Sequence, residues 1–202
     1  MAHFWDAKIT IYHGTAEGFD LDHPERIHVQ EGTGNFRLTR GVCLADMNND
    51  GWLDLITEKA GCSRCVILWG GPDGFDSGRR LSLPTMGSAG LAMARDLTGN
   101  GYLDLILGGG KPDTAVPHNS FIQIFWNGPE GLRTERQTQL PCNAANDLAI
   151  ADFNNDGHLD IFCCCYKSQI DRDIDSYIYW GGPGGSYSAG RRTPIRTHSS
   201  AG

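Results

Sequence analysis

The chain has 202 residues, enough for one domain with a sizeable core or two small ones, and 40% of them are hydrophobic and 20% charged, as in an ordinary soluble globular protein. Its net charge is −7, but eight of its carboxylates fall in three nine-residue segments, and without those the balance is +1, so the acidity is local. A nucleic-acid partner is excluded by the lack of any Lys/Arg run, and a membrane helix by the lack of an apolar run near ~18 residues. The start, "MAHFWDAKIT", lacks the charged and apolar regions of a signal peptide.

In chain order, the first apolar runs are "AKITIYHG" and "ERIHVQ", each read as a strand, with the turn-like "YHGTAEGF" (12–19) between them. The first acidic segment, "DMNNDGWLD" (46–54), follows. It is entered by "VCLAD", left by "LDLIT", and succeeded by "CVILWG" and the more polar "RRLSLP". The same order recurs around "DLTGNGYLD" (96–104), with "LAMARD", "LDLIL", "FIQIFWNG" and "RTERQTQLP". It recurs again around "DFNNDGHLD" (152–160), with "LAIAD", "LDIFC", "SYIYWGG" and the tail "RRTPIRTHSSAG". A Trp-Gly turn keeps the same time: "LWGGPDGF" (68–75), "FWNGPEGL" (125–132) and "YWGGPGGSY" (179–187), with His13 in place of Trp in the earliest copy.

Four short runs per unit, punctuated by Gly, Pro and Asp and without helical periodicity, predict a four-stranded antiparallel meander. Repeats of ~40–50 residues with four strands each are blades of a β-propeller. A β-solenoid is the alternative, although its rungs are shorter and parallel. The phase predicts a half blade at 1–40 and blades at 41–87, 88–145 and 146–202, which makes fourteen strands in about three and a half blades. Because propellers close to remove free sheet edges, the expectation is one propeller region within a larger ring, or a half-ring that needs partners.

In the first acidic loop, oxygens fall at Asp46, Asn48, Asp50 and Asp54, with the Trp52 carbonyl between. Alternate spacing around a turn that Gly51 permits points these groups at one centre. Hard oxygen donors without His or Cys side chains favour Ca²⁺ over zinc or copper, and Mg²⁺ prefers a smaller octahedral shell. An EF-hand would need Glu at position twelve, where Thr57, Leu107 and Cys163 stand. The competing reading is an Asx-type turn that satisfies its own backbone. Three copies at one place in a repeat favour calcium. Asp96, Thr98, Asn100, the Tyr102 carbonyl and Asp104 are the second set; Asp152, Asn154, Asp156, the His158 carbonyl and Asp160 are the third. The second carries only two carboxylates, so of up to three calcium sites it is expected to be the weakest.

Seven cysteines leave the redox compartment open. "CSRC" (Cys62, Cys65) lacks both the following helix of a thioredoxin motif and a second pair for zinc. Adjacent members of "CCC" (163–165) point to opposite faces, and most cysteines are expected to be small buried hydrophobes.

The D-x-N-x-D-G-x-x-D-[LI] loop with its downstream W-G-x-P-x-G-F element, in phase from about residue 7 to 202, resembles the FG-GAP repeat family, also called VCBS. That family includes the integrin alpha-chain propeller, fungal propeller lectins and many bacterial secreted or surface proteins. The resemblance implies seven-bladed propellers with calcium in the loop between the first two strands. It assigns the side chains above as ligands, with Asn100 where the family has Asp, and it implies an extracellular or cell-surface setting.

Three functions follow. The first is a non-catalytic scaffold for recognition or adhesion, with structural calcium and a glycan or protein ligand. Trp69, Trp126 and Trp180, one per blade, are expected to pack blades together, while Trp52 and Tyr102 are better placed for exposure. The insertions "GGGKPDTAVPHNS" (108–120) and "YKSQIDRDIDS" (166–176) are the places for recognition loops. The second is the propeller portion of a polysaccharide lyase or sugar dehydratase. Against it, the seven histidines form no spaced pair and there is no G-x-S-x-G element, and His118 with Asp113 is only a loop pair. The third is a self-assembling half-propeller, in which open edges pair with other copies or with remaining blades.

Overall fold

A computed structural model describes residues 8–28, 38–60, 63–86, 91–109, 119–166, 168 and 170–198. Among these residues there is no helix, and the regular elements are all β-strands. The first sheet pairs β1 (Lys8–Ile11) with β4 (Glu25–His28), and a small ladder joins β2 (Gly14–Thr15) to β3 (Gly18–Phe19). Three four-stranded antiparallel meanders follow, each in sequential order. They are β5 (Leu38–Ala45), β6 (Asp54–Ala60), β7 (Arg64–Leu68) and β8 (Arg80–Pro84); then β9 (Ala92–Arg95), β10 (Asp104–Leu107), β11 (Asn119–Phe125) and β12 (Gln137–Asn143); then β13 (Ala145–Ala151), β14 (Asp160–Cys165), β15 (Asp173–Tyr179) and β16 (Arg192–His198).

Each apolar run picked out in the sequence contributes, among the described residues, to one of these strands. The β2–β3 ladder is additional to the fourteen expected strands. In it Gly14 pairs with Phe19 and Thr15 with Gly18, and the Thr15 hydroxyl donates to the Gly18 carbonyl. The insertion at 166–176 is shorter than expected: Asp173–Ser176 extend β15, where Asp173 pairs with His198 and holds Arg196 at 2.8 Å. Residues 110–118, with Asp113 and His118, lie outside the described residues, as do Cys62 and the tail 199–202.

The sheets pack face to face in a propeller-like arrangement, and each interface is a core of its own. Ala45, Met47, Ile56, Cys65 and Ile67 of the second sheet meet Leu105, Leu107 and Phe125 of the third. Ile106, Ile122, Ile124 and Leu140 of the third sheet meet Leu148, Ile161, Cys163, Cys165 and Tyr179 of the fourth. Side chains such as Leu105, Ile106 and Phe125 are fully buried, each worth about 1.5–3 kcal/mol of transfer free energy. A strand buried on both faces reads as a continuous apolar run, which is why "DLIL" and "DIFC" showed no polar alternation. Cys163 and Cys165 share one face, with their sulfurs 4.0 Å apart, while Cys164 is half-buried on the other. Cys65 and Cys142 are also buried thiols, and Cys43 is half-buried.

Candidate metal-binding loops

Each acidic loop joins the first and second strands of a four-stranded sheet. Its shape begins with two left-handed residues. Position four has φ 57° at Asn49, 74° at Gly99 and 56° at Asn155; position six has 88° at Gly51, 84° at Gly101 and 87° at Gly157. Asn and Gly are the residues that tolerate this region, so the N-x-D-G and T-G-N-G spellings encode one backbone path.

The position-one carboxylate gathers the turn. Asp46 accepts N–H bonds from Asp50 (3.1 Å) and Gly51 (2.9 Å), and Asp152 does the same with Asp156 (3.1 Å) and Gly157 (2.8 Å). Asp96 takes four, from Thr98, Gly99, Asn100 and Gly101 at 2.7–3.2 Å. Burial raises the Asp96 carboxyl, but those four donors together bring it below its ordinary value of 3.8. In the outer loops Asn48 and Asn154 each donate to the position-five carboxylate, Asp50 at 2.9 Å and Asp156 at 3.0 Å. The Asn154 bond, then the His158 N–H, holds Asp156 below 3.8. In the middle loop Asn100 replaces that acid and turns its amide to the Asn127 carbonyl at 3.2 Å.

The position-nine aspartates do something the sequence did not reveal. Asp54, Asp104 and Asp160 have no exposed surface, and each carboxylate bridges two backbone segments. Asp54 accepts from Met47 N (2.8 Å) and Gly70 N (2.8 Å); Asp104 from Leu97 N (3.0 Å) and Asn127 N (2.8 Å); Asp160 from Phe153 N (2.9 Å) and Gly181 N (2.8 Å). One oxygen thus closes the loop and the other ties it to the turn after the Trp of the third strand. Burial raises the Asp54 and Asp104 carboxyls, and the two N–H donors oppose it.

That turn is also built by repetition. The N–H of Gly74, Gly131 and Gly185 donates to the carbonyl of Gly71, Gly128 and Gly182 across Pro72, Pro129 and Pro183, with φ of 86°, 77° and 73° at the last glycine. Trp69, Trp126 and Trp180 each donate a backbone N–H to an arginine carbonyl, Arg79, Arg136 and Arg191. A Cβ on Gly70 or Gly181 would lie 2.1 or 1.9 Å from the carbonyl oxygen of Leu53 or Leu159, so only glycine fits. The middle repeat has Asn127 there. Its buried side-chain amide donates to Leu103 O at 3.0 Å and, across the interface, to Met47 O at 2.8 Å. The only signal for this bridge was the departure of "WNG" from "WGG". A second bridge between sheets runs from Asn49 to Gly101 O at 3.0 Å.

Trp126 spans an interface, with its ring stacked on Tyr187 at 6.1 Å and its indole N–H on Thr138 at 3.0 Å; Trp69 packs in the preceding core, and Trp180 bonds Thr193 of its own sheet at 2.9 Å. Trp52 is 47% exposed, while Tyr102 and His158 are half-buried. Beside the middle loop, a pocket of about 310 Å³ is lined by Thr98, Asn100, Trp126, Arg136, Ser186 and Tyr187.

Among the described residues no three His, Cys, Asp or Glu side chains are grouped as a metal site. The loop carboxylates of this structure face backbone N–H groups. The donor set still fits a hard cation in kind: two or three carboxylates and an amide or hydroxyl oxygen within nine residues. A carboxylate oxygen that accepts one N–H also keeps a further lone pair.

Repeated antiparallel four-stranded sheets, each carrying an acidic loop between its first two strands, define a propeller-like class of repeat protein. Residues 96–163, from the middle loop through most of β14, match the family model described as FG-GAP-like repeat. No curated protein and no solved structure matches the chain.

Proposed function

We propose that the protein is a non-catalytic β-propeller scaffold for recognition or adhesion whose blades are stiffened by calcium in the three acidic loops. The observation that carries this reading is the recurrence, at one place in three sheets, of an oxygen-rich loop locked by a buried aspartate. Asp46, Asn48, Asp50 and Asp54, with their counterparts in the other loops, are the side chains that would hold the cation. Calcium would supply positive charge among carboxylates that otherwise repel one another. The Trp52, Tyr102 and His158 carbonyls complete the sets. The FG-GAP-like repeat over residues 96–163 supports a recognition scaffold in an extracellular or cell-surface setting. No helix among the described residues is long and apolar enough to cross a membrane. The pocket between Trp126, Arg136 and Tyr187 is the candidate seat for a glycan or protein side chain, since it combines aromatic surface with donors.

Calcium titration by calorimetry, with thermal unfolding in calcium and in EDTA, tests the scaffold. Saturable binding with a rise in Tm is expected; absence of binding heat and an identical Tm in EDTA would overturn the metal reading. A glycan array on the intact protein, repeated with Arg136→Ala, tests the ligand seat, and turnover of any bound glycan would replace the scaffold with an enzyme.

A further inference from the structure

We propose that the pocket beside the middle loop takes an acidic saccharide, with a sugar carboxylate on the Arg136 guanidinium and the sugar ring against Trp126. The inference rests on the reading of the protein as a recognition scaffold and names the ligand class of its pocket.

Three arginines hold one place in the repeat. Arg79, Arg136 and Arg191 each accept, through the backbone carbonyl, the N–H of the Trp that opens the Pro-Gly turn. Their side chains differ in what they meet. Arg79 donates to the carbonyl of Gly70, the residue after the Trp, at 2.6 Å. The matching carbonyl of the middle repeat is that of Asn127, and Asn100 donates to it at 3.2 Å. Arg136 stands further off its turn. A Cβ on Gly71 would lie 3.0 Å from the nearest guanidinium nitrogen of Arg79, and one on Gly128 would lie 3.5 Å from that of Arg136. Among the described residues the Arg136 guanidinium has no hydrogen bond and no ion pair.

One letter explains the difference. Position five is Asp50 or Asp156 in the outer loops and Asn100 in the middle one. An ionised carboxylate only accepts hydrogen bonds, whereas an amide can donate to the carbonyl that the arginine would otherwise hold. The change also removes an anion. Asp156 is held below its ordinary value by the Asn154 bond, then by the His158 N–H, and to a smaller extent by Arg191. The acids of the middle loop are engaged elsewhere: Asp96 accepts four N–H bonds and the Thr98 hydroxyl, and Asp104 is buried with both oxygens on backbone N–H groups. Close to Arg136 in the chain, Glu130 pairs with Arg133 at 3.2 Å and Glu135 accepts from Thr134 at 2.9 Å. The facing turn, "GPGGSY" (182–187), has no charged residue.

Arg136 is therefore the one charged side chain among the described residues that line the pocket of about 310 Å³. A lone cation in a concave site attracts anions, and its planar fork matches a carboxylate through two parallel bonds. The rings beside it offer surface rather than donors: the Trp126 indole N–H is on Thr138 at 3.0 Å, and the Tyr187 hydroxyl donates to the Leu159 carbonyl. The Ser186 hydroxyl also faces the pocket. A sugar acid uses all three features, with its carboxylate on Arg136, its C–H face on Trp126 and a ring hydroxyl on Ser186. A pocket of this size suits a single sugar ring.

The test titrates the whole chain with a methyl glucuronide, its methyl ester and the neutral methyl glucoside, read by the NMR shift of the Trp126 indole N–H. EDTA is present, so that no cation can bridge the carboxylate. The glucuronide should bind at least ~10-fold more tightly than the ester or the glucoside, the loss expected for a hydrogen bond to a charged group. Arg136→Gln, at an exposed position, should remove that preference with an unchanged urea midpoint. Asn100→Asp, which restores the acid of the outer loops, should weaken the glucuronide at least ~10-fold and leave the glucoside unaffected. Equal binding of all three sugars, no binding of the glucuronide, or acetate or a short polyglutamate peptide binding as tightly as the glucuronide would each overturn the proposal. None of these outcomes alters the calcium titration, and a pocket that takes neutral glycans would leave the scaffold reading standing.

Discussion

The middle acidic loop and its two neighbours reach the same backbone path by different chemistry. The outer loops place acids at positions one, five and nine and an asparagine between them, whereas the middle loop keeps only Asp96 and Asp104 and has Thr98 and Asn100. In the middle loop the backbone leans harder on position one, which takes four N–H bonds where Asp46 and Asp152 take two. Position five, released from carboxylate duty, bonds the Asn127 carbonyl of the next turn. What all three share is the buried aspartate at position nine. The comparison separates two jobs within one motif: positions one and nine shape the loop and fasten it, and position five sets the difference in charge.

The largest effect expected concerns the shared part. Asp54→Ala and Asp104→Ala each leave two buried N–H groups unpaired, so each should cost about 3–5 kcal/mol in urea unfolding in EDTA, at roughly 1–3 kcal/mol per orphaned donor plus the lost packing. If the two costs differed by more than about 1 kcal/mol, the brace would not be common to the loops. Next comes Asn127→Gly, which converts the middle turn to the "WGG" form. Loss of the bonds to Met47 O and Leu103 O should cost about 1–2 kcal/mol in the same assay, against no gain in calcium affinity.

The charge half of the comparison is sharpened by Asn100→Asp, which should tighten the middle calcium site about tenfold by calorimetry, and by Asp50→Asn, which should weaken the first site by a similar factor. A middle site that fills first in the unmodified protein would break the charge argument. The smallest effect is one of pH. Asp156 is held below 3.8 in the fold, so its contribution to stability is present above 3.8 and lost as pH falls through its lowered value. Asp156→Asn should flatten that acid limb of the urea midpoint in EDTA, whereas Asn100 gives the middle loop nothing to titrate there.

Much of the fold was legible because strand and turn chemistry repeats. The apolar runs around each acidic segment became strands, and the Pro-Gly turns closed as their residue types require. The loop side chains were legible in kind, since Asp, Asn and Gly at alternate positions have few other uses together. Other features depended on neighbours distant in sequence. The β15 extension through Asp173–Ser176 was hidden because its polar residues pair with β16 rather than with anything local. The Asp104–Asn127 bond joins residues on strands two and three, and the Asn127–Met47 bond crosses between sheets. No window of sequence contains both partners.

By itself, then, the sequence determined the strand order, the period and the donor chemistry of the loops, because each depends on residues within a few positions of one another. Only the tertiary structure decided that the ninth aspartate is a buried brace, that Asn127 bridges two sheets, and that Arg136 lines a pocket with Tyr187. Burial is a property of what packs opposite, and that partner can lie eighty residues away.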